Sequence, residues 1–271
     1  MRFLYLAFRA KKKIIVHFHP SNEKFLYQQD VRMLYRKIFS MADKVIVLSP
    51  QWERWIQDAL GDGVWMKKMM VLYNPCPNVH RNDEVRKKHI LYAGTLIKRK
   101  GYDIILYAFG KIAKDFPDWK LIMAGNASLH NGIDEMLIAK DIVEKLGIAS
   151  QVEFLGWVDG EKKERVFQEA AIYCLASEGE GFPMGLLDAW AYGIPSVVTP
   201  VGGIPDIVKN GENGLIFPVG DIDALADKLK ILMKDERLRH MLSMNTDSLV
   251  YNKFSMCFIN KQIGEIYESL K

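Results

Sequence analysis

From His89 onward the apolar and polar positions follow a regular beat. Short apolar runs, ILYAG, KLIMAG, VEFLG, IYCLAS and PSVVT, are separated by segments of helix length at 101–116, 134–147, 161–170 and 184–192. Apolar runs bounded by turn residues read as buried strands, and their alternation with helices predicts βαβ units and a parallel sheet. Within 101–116, Ile105, Ala108, Phe109, Ile112 and Phe116 form one helical stripe. A similar series precedes it. Residues 1–10 read as the end of a helix, KKIIVHFH as a strand, and 28–42 as a helix with Val31, Leu34, Tyr35, Ile38 and Met41 on one face. DKVIVLS is the next strand, Ser49-Pro50 starts a helix carrying Trp52, Trp55 and Ile56, and MMVLYN closes the series.

This pattern divides the chain into a partial α/β domain over 1–75, a linker over 76–88 and a complete α/β domain with a parallel sheet over 89–254. A final helix over 255–271 carries Ile259, Ile263, Ile266, Tyr267 and Leu270 on one stripe. Sheets of this kind bind ligands beyond the carboxyl ends of their strands. The richest turn there is SEGEGFPMGLLDAWAYG, in which a strand ending at Ser177 runs through two glycines into a helix at 184–192. Pro183 suits the first helical position, and the helix start offers unpaired N–H groups and the positive end of a dipole to an anion. Glu180 stands before that start and Asp188 about one turn into the helix. Two carboxylates flanking a phosphate cradle suit a ligand with hydroxyls on both sides of a diphosphate.

On these residues, Glu180, seven intervening positions and Asp188 followed by AWAYGIP, the chain resembles the family 4 retaining glycosyltransferases of the GT-B fold. The resemblance implies two Rossmann-like domains facing each other across a cleft. It places Glu180 on donor-sugar hydroxyls and the backbone of Gly181, Phe182, Pro183, Met184 and Gly185 around sugar and diphosphate. Asp188, where glutamate is usual, falls on the ribose hydroxyls. After the first strand come Gly94 and Thr95, then Lys100. The family has arginine where Thr95 stands and lysine at Lys100, both directed at the diphosphate, and Lys98 and Arg99 are the candidates to replace the arginine. Gly125 and Asn126 follow the second strand. Gly156, Trp157 and Val158 follow the third, where relatives hold the nucleobase through backbone groups. His19, with His17 as the alternative, falls at a strand end facing the donor sugar. VGGIPDIVKNGENGLIFPVGD resembles the family's closing loop, with Asp206 where glutamate is frequent, and the final helix is expected to cross back onto the first domain.

The implied reaction moves a hexosyl group from a UDP- or GDP-sugar to an acceptor hydroxyl with retention, in polysaccharide or glycolipid assembly. It uses no metal and no cofactor besides the donor, and Glu180, Lys100 and His19 are its catalytic candidates. The acceptor, a glycan or a lipid-linked sugar, is not specified by any residue. The family's opening strand, glycine-rich loop and following units have no counterpart in 1–75. A donor-binding module completed by a partner chain is therefore the other reading.

Composition changes this picture little. A hydrophobic content of 49% supports a packed core, and three cysteines without CxxC spacing point to a reducing compartment. The start lacks a signal-peptide cleavage pattern, and no apolar run reaches membrane-spanning length, so the expectation is cytoplasmic. The net charge of +4 hides an asymmetry, because residues 1–75 hold thirteen Lys and Arg against six Asp and Glu. A solvated face is the first reading of that excess and peripheral contact with an anionic membrane the second. No nucleic-acid motif accompanies it.

Overall fold

The computed structural model describes residues 2–82, 85–127, 129–130 and 133–271. In the first domain, helix α1 (Arg2–Arg9) leads to strand β1 (Ile15–His17), helix α2 (Gln29–Met41), β2 (Lys44–Val47), α3 (Pro50–Leu60) and β3 (Met69–Val71). The strands pair in parallel in the order β1-β2-β3, with Val16 opposite Val45 and Ile46 opposite Met70. Helix α2 keeps Tyr35 and Ile38 of its expected face against the core and departs from that face at Leu34. Phe39 is its buried residue, whereas Leu34 is exposed. The reason is the partner it meets: Tyr35 and Phe39, one turn apart, pack on Phe18 beyond the end of β1, with ring centroids 5.0 and 5.6 Å away.

The second domain holds β4 (His89–Ala93), α4 (Tyr102–Ile112), β5 (Lys120–Ala124), a short hairpin of β6 (Leu129–His130) and β7 (Ile133–Asp134), then α5 (Glu135–Leu146). It continues through β8 (Val152–Gly156), α6 (Gly160–Glu169), β9 (Ile172–Leu175), α7 (Met184–Ala191), β10 (Ser196–Val198), α8 (Ile204–Ile207) and β11 (Leu215–Ile216). Among the described residues β4, β5 and β8 to β11 form a six-stranded sheet ordered β11-β10-β9-β4-β5-β8, and every pairing in it is parallel. The order reverses between β4 and β9, so the ends of those strands open a crevice. Ile105, Ala108, Phe109 and Ile112 bury the α4 stripe against one face of the sheet, and α7 packs on the other.

Helices α9 (Ile222–Lys234), α10 (Glu236–Leu249) and α11 (Met256–Glu268) end the chain. Asp221, Asp235 and Ser255 cap them by accepting backbone N–H groups. Between α10 and α11 a π-helical turn carries Phe254, which lies among Tyr73, Phe182 and Trp190 and whose carbonyl accepts the Cys76 N–H at 2.7 Å. That turn redirects the chain. Ile259 and Ile266 of α11 then pack on Ile46 and Leu72 of the first domain. Among the described residues no helix is long and apolar enough to cross a membrane.

Candidate functional site

The β9–α7 connection is fixed by neighbours from four directions. At its start the Thr199 hydroxyl donates to the Ser177 carbonyl at 2.6 Å, tying the end of β9 to the end of β10. From the β4–α4 loop, Arg99 donates to the Gly179 carbonyl at 2.5 Å and accepts the Glu178 N–H at its own carbonyl at 2.8 Å. From the first domain, the Trp52 indole donates to the Gly181 carbonyl at 2.9 Å. From the loop before α8, the Gly203 N–H reaches the same carbonyl at 3.2 Å.

Glu180 sits at the centre of these contacts, 5% exposed. Its Oε1 accepts from Lys100 Nζ at 2.6 Å and from Ser177 Oγ at 2.7 Å. A buried carboxylate requires this kind of pairing. Lys100 is delivered by Gly101, whose φ of 68° ends the loop in the left-handed region. A Cβ there would lie 2.0 Å from the Ala176 carbonyl oxygen.

Across the first turn of α7 lies a cleft of about 320 Å3 between the ends of β4 and β5, the 157–160 turn and helix α6. Gly94, Gly125, Val158, Gly185 and Asp188 line it. Asp188 faces this cleft and pairs with Lys163 Nζ at 2.7 Å, whereas Glu180 lies outside the lining, turned onto Lys100. The two carboxylates are thus held by different cations, Glu180 before α7 and Asp188 within it. Helix α7 reaches the sheet closely because residue 185 is glycine. A Cβ there would stand 2.4 Å from the Tyr173 hydroxyl and 2.9 Å from the Ala93 carbonyl oxygen. The Tyr173 hydroxyl is buried and has no hydrogen-bond partner among the described residues. Burial raises its pKa well above the ordinary phenol value, with the Glu180 charge adding to the rise. At the far end of α7, Arg81 donates to the carbonyls of Ala191 and Trp190 at 2.7 and 3.0 Å, and Arg86 to that of Tyr192. Cations at a helix C-terminus satisfy its free carbonyls and its dipole.

Several sequence candidates occupy positions that narrow their roles. The Trp157 N–H is already taken by Asn126 Oδ1 at 2.9 Å, and the indole is 67% exposed. Thr95 is exposed and its carbonyl accepts from Tyr92, while Arg99 reaches Gly179 and Lys98 is exposed. Of the two cations considered in place of arginine, Arg99 is the one at the Glu180 loop. Met184 is 48% exposed in the first turn of α7, with Pro183 as its N-cap and Phe182 buried against Tyr73 and Phe254. His17 and His19 point to the same side, with ring centroids 4.0 Å apart. Partial burial, and secondarily the neighbouring His19, pull His17 down to about 4, and burial lowers His19 as well. The segment after His19 rests on the Glu180 loop, since a Cβ on Gly181 would lie 2.1 Å from the Pro20 carbonyl oxygen.

Sequence reasoning missed Lys163. It lies in GEKKERVFQE, a run whose charges read as a solvated helix face. Helical period puts Lys163 on the face of Val166 and Phe167 and turns Lys162 away, toward the Leu155 carbonyl at 3.2 Å, but it does not name the carboxylate that Lys163 meets.

Comparison with known proteins agrees with this architecture. The chain is 27% identical over 270 residues to a phosphatidyl-myo-inositol mannosyltransferase of Mycobacterium leprae, covering 96% of this chain and 68% of that one. It is 31% identical over 181 residues to the N-acetyl-alpha-D-glucosaminyl L-malate synthase of Bacillus anthracis, 67% of this chain and 45% of that protein, so it spans less than half of the latter. Its fold matches the crystal structure of Anabaena Alr3699/HepE in complex with UDP and glucose at a TM-score of 0.87 and 20% identity, covering 98% of this chain and 74% of the other. The family described as glycosyl transferases group 1 matches residues 79–248, well over half of the chain and the whole of the cleft. This chain belongs to the glycosyl transferases group 1 family and has the GT-B fold.

Proposed function

We propose that this chain takes part in transferring a hexosyl group from a nucleotide-diphospho sugar, with UDP or GDP as the nucleotide, to an acceptor hydroxyl with retention of anomeric configuration. The product belongs to polysaccharide or glycolipid assembly. The observation that carries this reading is that Lys100 pairs with Glu180 just before α7 and Lys163 with Asp188 within it, beside the cleft at the first turn of that helix. The diphosphate lies at the first turn of α7, where N–H groups and helix dipole meet its charge, and Lys100 offsets the charge that builds on the leaving group. Glu180 orients the sugar hydroxyls, Asp188 accepts from the ribose, and the base lies in the cleft along the 156–158 turn. His19 contacts the sugar from the first domain when the cleft closes. No covalent nucleophile is assigned.

The test is transfer or slow hydrolysis of UDP- and GDP-sugars, followed by nucleotide release. Glu180→Ala is expected to lose about a hundredfold or more in turnover while still binding the nucleotide. Turnover unchanged by that substitution rejects the site. Nucleotide binding without any turnover in the unaltered chain rejects the enzyme reading in favour of a donor-binding module.

The same proposal extends to a cytoplasmic location with peripheral contact at the inner face of a membrane. Tyr5, Leu6 and Phe8 of α1 are about half exposed beside Arg9 and Lys11 to Lys13. An apolar helix face with a basic rim suits the boundary of an anionic bilayer. Co-sedimentation with anionic but not zwitterionic vesicles, lost in Leu6→Glu/Phe8→Glu, is the expected result. Equal recovery with both kinds of vesicle removes this part of the reading.

A further inference from the structure

Helix α3 is capped from the other domain. Ser49 stands at its N-cap in extended conformation, φ −165° and ψ 163°. There a serine hydroxyl ordinarily accepts the N–H of the second or third helical residue. Its Oγ nevertheless makes no hydrogen bond among the described residues and is buried. The Gln51 N–H goes instead to Asp206 Oδ2 at 2.8 Å, across the domain boundary. Asp206 Oδ1 accepts from Arg54 Nη2 at 3.0 Å, and the same nitrogen also holds Gln51 Oε1 at 2.7 Å. The carboxylate of Asp206 is 11% exposed, whereas the Arg54 side chain that it meets is 58% exposed.

Ser49 lies beside the loop that leads into the helix of Asp206. Asp206 lies in α8, directly after Gly203, and a Cβ on Gly203 would touch Phe182 at 2.8 Å and Ser49 Oγ at 3.1 Å. The next residue of α3, Trp52, holds the Gly181 carbonyl. One turn of α3 thus grips both the α8 loop and the loop that carries Glu180. A buried hydroxyl without a partner costs free energy in the arrangement that strands it. Domains of one chain move relative to one another unless a large apolar interface joins them, and here Tyr73 also packs on Phe182 across the boundary, at 5.3 Å between ring centroids.

We propose that Asp206 and Ser49 are alternative caps of α3. With the domains apposed, Asp206 caps the helix and, through Trp52, positions the Glu180 loop. When the domains part, Asp206 leaves with the second domain, and rotation about the Ser49 side chain brings Oγ to the freed N–H. The helix is then never uncapped, and the cost of opening falls by the value of one cap. Asp206 is a positioning residue in this scheme, and Ser49 is its substitute in the open form.

The test uses Ser49→Ala, Asp206→Ala, the double variant and Asp206→Asn in the full chain, with thermal unfolding, hydrogen exchange at the Gln51 amide and small-angle scattering. None of these measures donor turnover, so the outcome is independent of the transferase reading. Ser49→Ala alone leaves the melting temperature unchanged or slightly raised. Asp206→Ala opens the scattering profile, and Asp206→Asn, which keeps an acceptor for Gln51, restores it. Gln51 stays protected in Asp206→Ala because Ser49 takes over. In the double variant it exchanges about five- to tenfold faster, the worth of one cap, and the melting temperature falls by more than the two single changes add up to. Additive losses, an unprotected Gln51 in Asp206→Ala alone, or a scattering profile unmoved by that substitution overturns the proposal.

Discussion

Glu180 and Lys100 are the residues whose pairing can be tested most directly, because the carboxylate is buried and the lysine side chain is 23% exposed. Removing the lysine leaves a shielded carboxylate without its cation. Lys100→Ala is therefore expected to destabilise the fold by about 3 kcal/mol, seen as a lower urea midpoint, besides any loss of turnover. Lys100→Met with Glu180→Leu, which removes both charges, is expected to recover most of that stability and none of the activity. His17 supplies a pH prediction of definite sign. Its folded pKa of about 4 lies below the ordinary value of 6.5, so the folded chain binds fewer protons than the unfolded one between those values. Stability contributed by neutral His17 is present above pH 6.5 and is lost as the pH falls toward 4. In His17→Gln the urea midpoint is expected to vary less steeply across that window, and an unchanged slope rules the effect out.

Helix α7 carries the site and is held at both ends for different reasons. At its start the close approach needs glycine, so Gly185→Ala is expected to cost about 1–3 kcal/mol and to weaken nucleotide binding by displacing the first turn. The Tyr173 hydroxyl is one of the two atoms in the way and has no hydrogen bond to lose. Tyr173→Phe alone should therefore be neutral or stabilising and should rescue part of the Gly185→Ala defect, as measured by thermal unfolding of the double variant. A double variant no better than Gly185→Ala would place the clash on the Ala93 carbonyl instead. At its end, Arg81 and Arg86 reach α7 from the 76–88 segment, which reads in sequence as a charged linker. Its charges look solvated along the chain, and only the position of the Trp190, Ala191 and Tyr192 carbonyls shows what two of them hold.

At the scale of the molecule, α11 closes the structure by packing Ile259 and Ile266 on the first-domain strands. Ile266→Ala is expected to cost about 2–4 kcal/mol and to loosen the first domain before the second, which hydrogen exchange resolved by domain would detect. The alternation from His89 onward determined the second domain almost by itself, because strands buried on both faces are uniformly apolar and helices between them carry a 3.6-residue stripe. The same local grammar, glycine turn, Pro183 and a helix start between two carboxylates, marked the candidate site at Glu180 and Asp188. What the sequence could not decide is which partners those residues meet. Phe39 rather than Leu34 faces the core of the first domain, Lys163 rather than Lys162 meets Asp188, and Asp206 rather than Ser49 caps α3. In each case the local pattern lacks the deciding contact: Phe18 opposite Phe39, Asp188 opposite Lys163, and Asp206 opposite the Gln51 N–H. The choice is made by a side chain distant in sequence, and only the packing of the folded chain brings it within reach.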